Sequence, residues 1–137
     1  MKMSRDEFLK ALSEGRRDFR GENLSGLDLS GVDLSGVDLS RADLSEANLS
    51  GADLRWARLN RADLWLAYLE GANLEGAYLI QAALEEANLS GADLRRARLT
   101  LADLNGANLE GANLMQADCS GAWVEEDVSS RGAIMNF

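Results

Sequence analysis

The chain has no histidine, no proline and a single cysteine among its 137 residues, and aromatic residues make up only 6% of it. Without histidine it lacks the commonest general base and metal ligand of neutral pH. With one cysteine, Cys119, it forms no intramolecular disulfide and no zinc site of the usual kind. The absence of proline suits a fold in which almost every backbone N–H is wanted by a neighbouring segment. No apolar run approaches membrane-spanning length and the start lacks the apolar core of a signal peptide, so the expected location is the cytoplasm. Glycine-rich phosphate loops are missing too, because the glycines are spaced by five and serve turns.

What the chain does have is a repeat. An alanine recurs at every fifth residue from Ala42 to Ala122, and a leucine stands two places later, in its own unbroken run from Leu24 to Leu114. The residue between them is usually Asp or Asn. A helix turns about 100° per residue, so leucines five apart would spray around its surface. A strand alternates faces with period two, so they would point to opposite sides. The pattern works as a very short extended segment with Ala and Leu inward, followed by a two-residue corner. Turning the same way at each corner winds the chain into stacked coils. Glycine recurs at a spacing of twenty (Gly31, Gly51, Gly71, Gly91, Gly111), which suggests that four units close one coil.

Units such as Ala52-Asp53-Leu54, Ala72-Asn73-Leu74 and Ala107-Asn108-Leu109 match the A(D/N)LXX consensus of the pentapeptide-repeat family. The chain resembles that family from about Arg17 to Val124, and its start is similar to the small cyanobacterial members. The resemblance implies an all-β solenoid, a right-handed quadrilateral β-helix of about five and a half coils, roughly 26 Å tall at the sheet spacing. It favours a homodimer joined through the C-terminal ends; the residues themselves, with no histidine and one cysteine, lead to the expectation of no catalytic residues, no cofactor and no metal.

Three regions follow. Residues 1–16 hold a short capping helix over Ser4 to Glu14, with Ser4 and Glu7 forming a capping box and Gly15 as the stop. Residues 17–124 form the coil, opening with Phe19 in a leucine position; Glu22, Leu27, Val32 and Val37 stand where later units have Ala, so the first coil is expected to be wider. Residues 125–137 form a C-terminal cap or dimerisation tail. Cys119 takes a leucine position near the end of the coil and reads as inert filler.

Residues twenty apart should stack, which sorts the surface into four faces. One carries Asp43, Glu46, Asp63, Glu85, Glu86 and Asp103 with no basic residue, acidic from end to end; the next carries the glycine column. The other two hold nearly every arginine of the coil. Arg55, Trp56, Arg58, Arg61, Tyr78 and Arg98 form a candidate interaction surface there, in which Arg58, Tyr78 and Arg98 would stack as a cation–π sandwich. The plainer role of these arginines is to offset nearby Asp and Glu. Trp65, Leu66 and Tyr68 cluster at one corner, and a contiguous apolar patch marks a contact site.

The carboxylates recur with the period of the repeat, and their simplest task is to hydrogen-bond backbone N–H groups at the corners. Two functional readings remain. One is a non-catalytic scaffold that docks a protein partner. The other is mimicry of DNA towards gyrase or another topoisomerase, as in the quinolone-protecting members of the family; the net charge of −9 and the acidic face suit it. The arginine faces, a rod shorter than a B-DNA turn of about 34 Å and the absence of an inserted loop speak against it. The overall charge opposes direct DNA binding through the arginines.

Overall fold

Twenty residues separate the two members of every bridged pair of the coil. In the computed structural model, which describes residues 1–125, parallel bridges join Asp18 to Asp38, Asn23 to Asp43 and Asp28 to Asn48, and they continue in this register to Asp103 and Trp123. Four five-residue units therefore complete each coil, as the glycine column suggests. Three backbone bonds per unit join neighbouring coils, one of them at the corner, where the Glu46 N–H donates to the Trp65 carbonyl at 2.8 Å. The Leu44 N–H donates to the Asp63 carbonyl at 2.7 Å, and the Asp63 N–H donates back to the Ala42 carbonyl at 2.9 Å.

Between segments, the alanine N–H closes a turn onto the preceding leucine carbonyl, as from Ala62 to Leu59 at 3.0 Å. The residue before that alanine has a positive φ, near 60° for Arg61, while the residue before it does not. This is the type II pattern, which favours glycine at the third position. Elsewhere the chain places glycine there, but ten other residues adopt this conformation, among them Arg41, Glu46, Trp56, Leu66 and Leu101. Several of their side chains reach along the stack to a neighbouring coil. The Arg61 Nε–H donates to Gln81 Oε1 at 2.9 Å, Arg96 does the same to Gln116 at 3.0 Å, and the Trp56 ring lies over Gly76.

The Asp and Asn side chains do what their spacing suggests. Asp43 Oδ1 accepts from the Ser45 N–H at 3.0 Å, and Asn73 Oδ1 accepts from the Glu75 N–H at 3.1 Å. Where Tyr78 takes the Asx position and lacks such an acceptor, Asn60 of the coil below supplies one, its Oδ1 accepting from the Ile80 N–H at 3.0 Å. The interior is a stack of leucine and alanine. Leu24 to Leu114 and Ala42 to Ala112 are at most 1% exposed, and no polar residue is buried among the described residues. In the early units with Glu22, Leu27, Val32 and Val37, the turn-closing bond lengthens to 3.1–3.3 Å.

Helix α1 (Arg5–Ser13) covers the first coil. Its capping box is complete, with Ser4 accepting from the Glu7 N–H and Glu7 accepting from the Ser4 N–H. Phe8 packs on Phe19 with ring centroids 4.5 Å apart, both fully buried, and the Arg16 guanidinium lies 4.4 Å from the Phe19 ring centre. The residues before the helix complete the edge. Lys2 bridges to Asn23, the Met3 N–H donates to the Asn23 carbonyl, and Arg5 Nε donates to the Asp28 carbonyl. Unpaired strand edges invite association, and here the chain's own start blunts two of them. Lys2 also corrects one expectation: the acidic face has a lysine at its foot. The tail expected at 125–137 lies, beyond Glu125, outside the described residues.

Candidate functional site

The bridges place Asp43, Asp63, Ala83 and Asp103 in one column, so the acidic face forms as the spacing suggests. Glu46 and Glu86 stand at its corner with φ of 59°, and Glu86 reaches over Gly106. Glu85 lies between these carboxylates. Burial, and after it the charges of Asp103 and Asp63, raise its carboxyl above the ordinary 4.5. Much of this acidity also serves the turns, since Asp43, Asp63 and Asp103 each accept a backbone N–H two residues on.

The aromatic corner of the same coil is exposed. Trp65 is 42% and Tyr68 51% accessible, while Leu66 between them is half-buried with φ of 54°. An L-residue held in this left-handed region costs about 1–2 kcal/mol relative to the right-handed one. The corner that glycine fills at Gly26 and Gly106 is thus spent here on an apolar side chain.

The arginines divide by their place in the unit. Arg20, Arg55 and Arg95 each follow an Asp by two residues, and each folds back on it. Arg55 donates from Nε to Asp53 Oδ1 at 2.9 Å and from a terminal nitrogen to Oδ2 at 2.7 Å. These contacts hold the Asp18, Asp53 and Asp93 carboxyls below their ordinary 3.8, Asp18 at about 2. Here the offsetting role holds, and Arg55 is committed to it. Arg58 and Arg98 occupy the Asx position itself, while Arg41 and Arg61 stand at the following corner. None of these four makes an ion pair among the described residues.

Of the expected sandwich, one half forms. The Arg98 guanidinium lies 5.1 Å from the Tyr78 ring centre, whereas Arg58 turns to a recess of about 780 Å³ that it lines together with Arg41, Asn60 and Arg61. Arg16 and Arg20 line it too, as do the carboxylates of Asp18 and Asp38. Trp56, 52% exposed, sits at the corner between the two arginine faces. The candidate residues thus fall into separate surfaces, with Trp65, Leu66 and Tyr68 away from the arginines. Arg41 is legible as a partner of Arg61 at a spacing of twenty; Arg16 lies outside the repeat and carries no such signal.

Among the described residues no group of three or more His, Cys, Asp or Glu is placed to hold a metal ion, and no helix is long and apolar enough to cross a membrane.

A family model described as Pentapeptide repeats (8 copies) matches residues 23–61, 62–100 and 92–126. Among solved structures the chain is similar to a pentapeptide repeat protein (Rfr23) from the cyanobacterium Cyanothece 51142, at 32% identity over 93% of this chain and 97% of that one, with a TM-score of 0.83. It is also similar to alr5209, a pentapeptide repeat protein from Nostoc Pcc 7120, at 32% identity over 89% and 96% of the two chains and a TM-score of 0.47. HetL, a pentapeptide repeat protein involved in heterocyst differentiation regulation from the cyanobacterium Nostoc sp. strain PCC 7120, is 24% identical over 96% and 94%, with a TM-score of 0.35. A search of curated proteins gave no match.

Proposed function

The chain belongs to the pentapeptide-repeat family, and from that premise we propose that it is a non-catalytic cytoplasmic scaffold that docks a protein partner. On this reading its coil is the right-handed quadrilateral β-helix of about five and a half turns that the repeat length gives at twenty residues per turn. The observation that carries the reading is the Trp65–Leu66–Tyr68 corner. Two large aromatic side chains stand out in solvent beside a leucine held at φ of 54°. Glycine would serve the Leu66 position without strain, so the fold does not ask for leucine there. Exposed clusters of this type, rich in Trp and Tyr, are what protein interfaces bury at their centres.

Capture from a soluble extract tests it, comparing wild type with Trp65→Ser by quantitative mass spectrometry. A partner retained by wild type and lost by the variant supports the docking corner; equal capture of every protein by both removes it.

The second reading, a DNA-mimicking modulator of gyrase or another topoisomerase, is favoured by one observation. Asp43, Asp63 and Asp103 share one column, and the Glu85 carboxyl is raised first by burial and then by the charges of Asp103 and Asp63. The continuity of this charge is poor, because Ala83 interrupts the carboxylate column and Trp65 stands beside it. B-DNA carries one charge per about 1.7 Å of axis, whereas stacked coils give one column charge per about 4.8 Å. A gyrase supercoiling assay with and without a quinolone separates the readings. Inhibition or drug rescue, abolished in Glu85→Lys/Glu86→Lys, would favour the mimic over the scaffold.

A further inference from the structure

We propose that the recess on the face through Arg58 binds a compact polyphosphate-bearing anion, such as the triphosphate group of a nucleotide. The site does not depend on the aromatic corner, which lies elsewhere on the coil. Part of its lining is already neutralised: Arg16 pairs with Glu22 at 2.8 Å, and Arg20 pairs at 2.9 Å and 3.8 Å with Asp18 and Asp38, the two carboxylates that also line the recess. Three further arginines are not. Arg41, Arg58 and Arg61 line the same recess, and among the described residues none of them makes an ion pair.

The chain gives up stability to place them. Arg41 and Arg61 occupy one corner column in successive coils, with φ of 61° and 60°. Each left-handed arginine holds a backbone conformation that glycine would adopt without strain, and like charges stacked about 4.8 Å apart repel. The fold does not require either residue, since the same column has Gly21 below and Gly121 above. A bound anion would relieve that repulsion.

The geometry is also partly fixed before binding. Gln81 holds the Arg61 Nε–H at 2.9 Å, which leaves the two terminal nitrogens of the guanidinium for a ligand. Asn60 spends its Oδ1 on the Ile80 N–H, leaving its NH₂ as a donor. A side chain at Gly21 would meet nothing within 4 Å, so the mouth is open.

Size and charge then select the ligand. About 780 Å³ falls in the range of small-molecule sites, roughly 300–1,000 Å³. Guanidinium forks match phosphate oxygens in pairs. A duplex laid on this face would bring its phosphates against the acidic face, which begins at the corner that Arg41 and Arg61 occupy. A triphosphate puts several charges within the recess and reaches no further.

Calorimetric titration of the full chain with inorganic tripolyphosphate at low ionic strength tests the site, with a hexaglutamate peptide and a short DNA duplex as parallel arms. Saturable one-to-one binding of tripolyphosphate is expected, weakened about fivefold or more by Arg41→Gln and by Arg58→Gln and unchanged by Arg95→Gln, whose guanidinium is committed to Asp93 and Glu75. Far-UV circular dichroism confirms that each variant is folded. Arg58→Lys, which keeps the charge without the fork, should fall between wild type and Arg58→Gln. Absence of saturable binding, an equal loss in Arg95→Gln, or tighter binding of hexaglutamate or duplex would overturn the proposal.

Discussion

A methyl group on Gly76 would fall 2.2 Å from Cε3 and from Cζ3 of the Trp56 ring one coil below. The two residues share a corner column twenty apart, and the glycine is buried because the indole covers it. Leu101 over Gly121 repeats the relationship, where a Cβ would meet Cδ2 at 2.7 Å. A corner side chain on one coil therefore constrains what the next coil can carry.

Gly76→Ala should accordingly cost more than Gly51→Ala. Both glycines have positive φ, at 67° and 65°, but a Cβ at Gly51 meets nothing within 4 Å. The conformational term alone is about 1–2 kcal/mol, and displacing the indole adds about 1–3 kcal/mol. Urea unfolding of the two variants gives the comparison, and equal losses would show that the Trp56 ring moves freely.

In the core, Leu84→Ala should destabilise by about 2–5 kcal/mol, because Leu84 is fully buried in the middle of the leucine stack. Cys119→Ala, in a leucine position that is only half-buried near the end of the coil, should cost clearly less. Thermal melts of both variants measure the gradient. A loss at Cys119 as large as at Leu84 would place the stability at the end of the rod.

Stability should depend on pH in two opposed ways. The Asp28, Asp33 and Asp118 carboxyls are held below 3.8 by the following serine hydroxyl and N–H. A depressed pKa contributes stability above the unfolded value, and that contribution disappears as pH falls through the folded one. The chain should thus weaken below about pH 4. Glu85 is raised, first by burial and then by Asp103 and Asp63. Its favourable contribution is complete below 4.5 and is lost as pH rises through its folded value, so its charge is unfavourable at neutral pH. Glu85→Gln should raise stability at pH 7 by less than about 1 kcal/mol after solvent screening, with the gain vanishing below pH 4. Melts across pH 3–7 decide it; a destabilising Glu85→Gln at pH 7 would contradict this assignment.

Burial pushes the Cys119 thiol up to about 11, with the charge of Asp118 adding to it. The thiolate is the reactive form, so alkylation by iodoacetamide at pH 7.5 should be far slower than that of a free cysteine and should speed up as pH rises. Modification at the free-thiol rate would mean that Cys119 is open to solvent.

The coil itself was legible because it leaves almost no choice at two positions of five and a strong preference at a third. Leucine and, from Ala42 onward, alanine recur strictly, the residue between them is Asp or Asn in most units, and the glycine column alone gives the spacing of twenty that the bridges follow. The helix cap was legible from Ser4, Glu7 and Phe8. The commitment of each arginine also lies in the sequence, once its place in the unit is considered: Arg55 two residues after Asp53 pairs with it, whereas Arg58, replacing the Asx residue, has no such neighbour. What the repeat could not show lies outside it or between coils. Lys2 pairs with Asn23 from before the helix, Arg16 meets Phe19 from its C-terminal side, and Asn60 serves Ile80 across a coil boundary. Each of these depends on where side chains end in space, which a five-residue period does not encode.

The docking corner is tested most directly by photo-crosslinking from a residue beside it. A benzophenone side chain at Glu70, exposed two residues past Tyr68, should give one discrete partner adduct in a soluble extract. The adduct should disappear when Trp65→Ser is added and should not arise from the same probe at Arg95. Adducts that persist in Trp65→Ser, or form equally from Arg95, would contradict the claim that this corner is the docking surface.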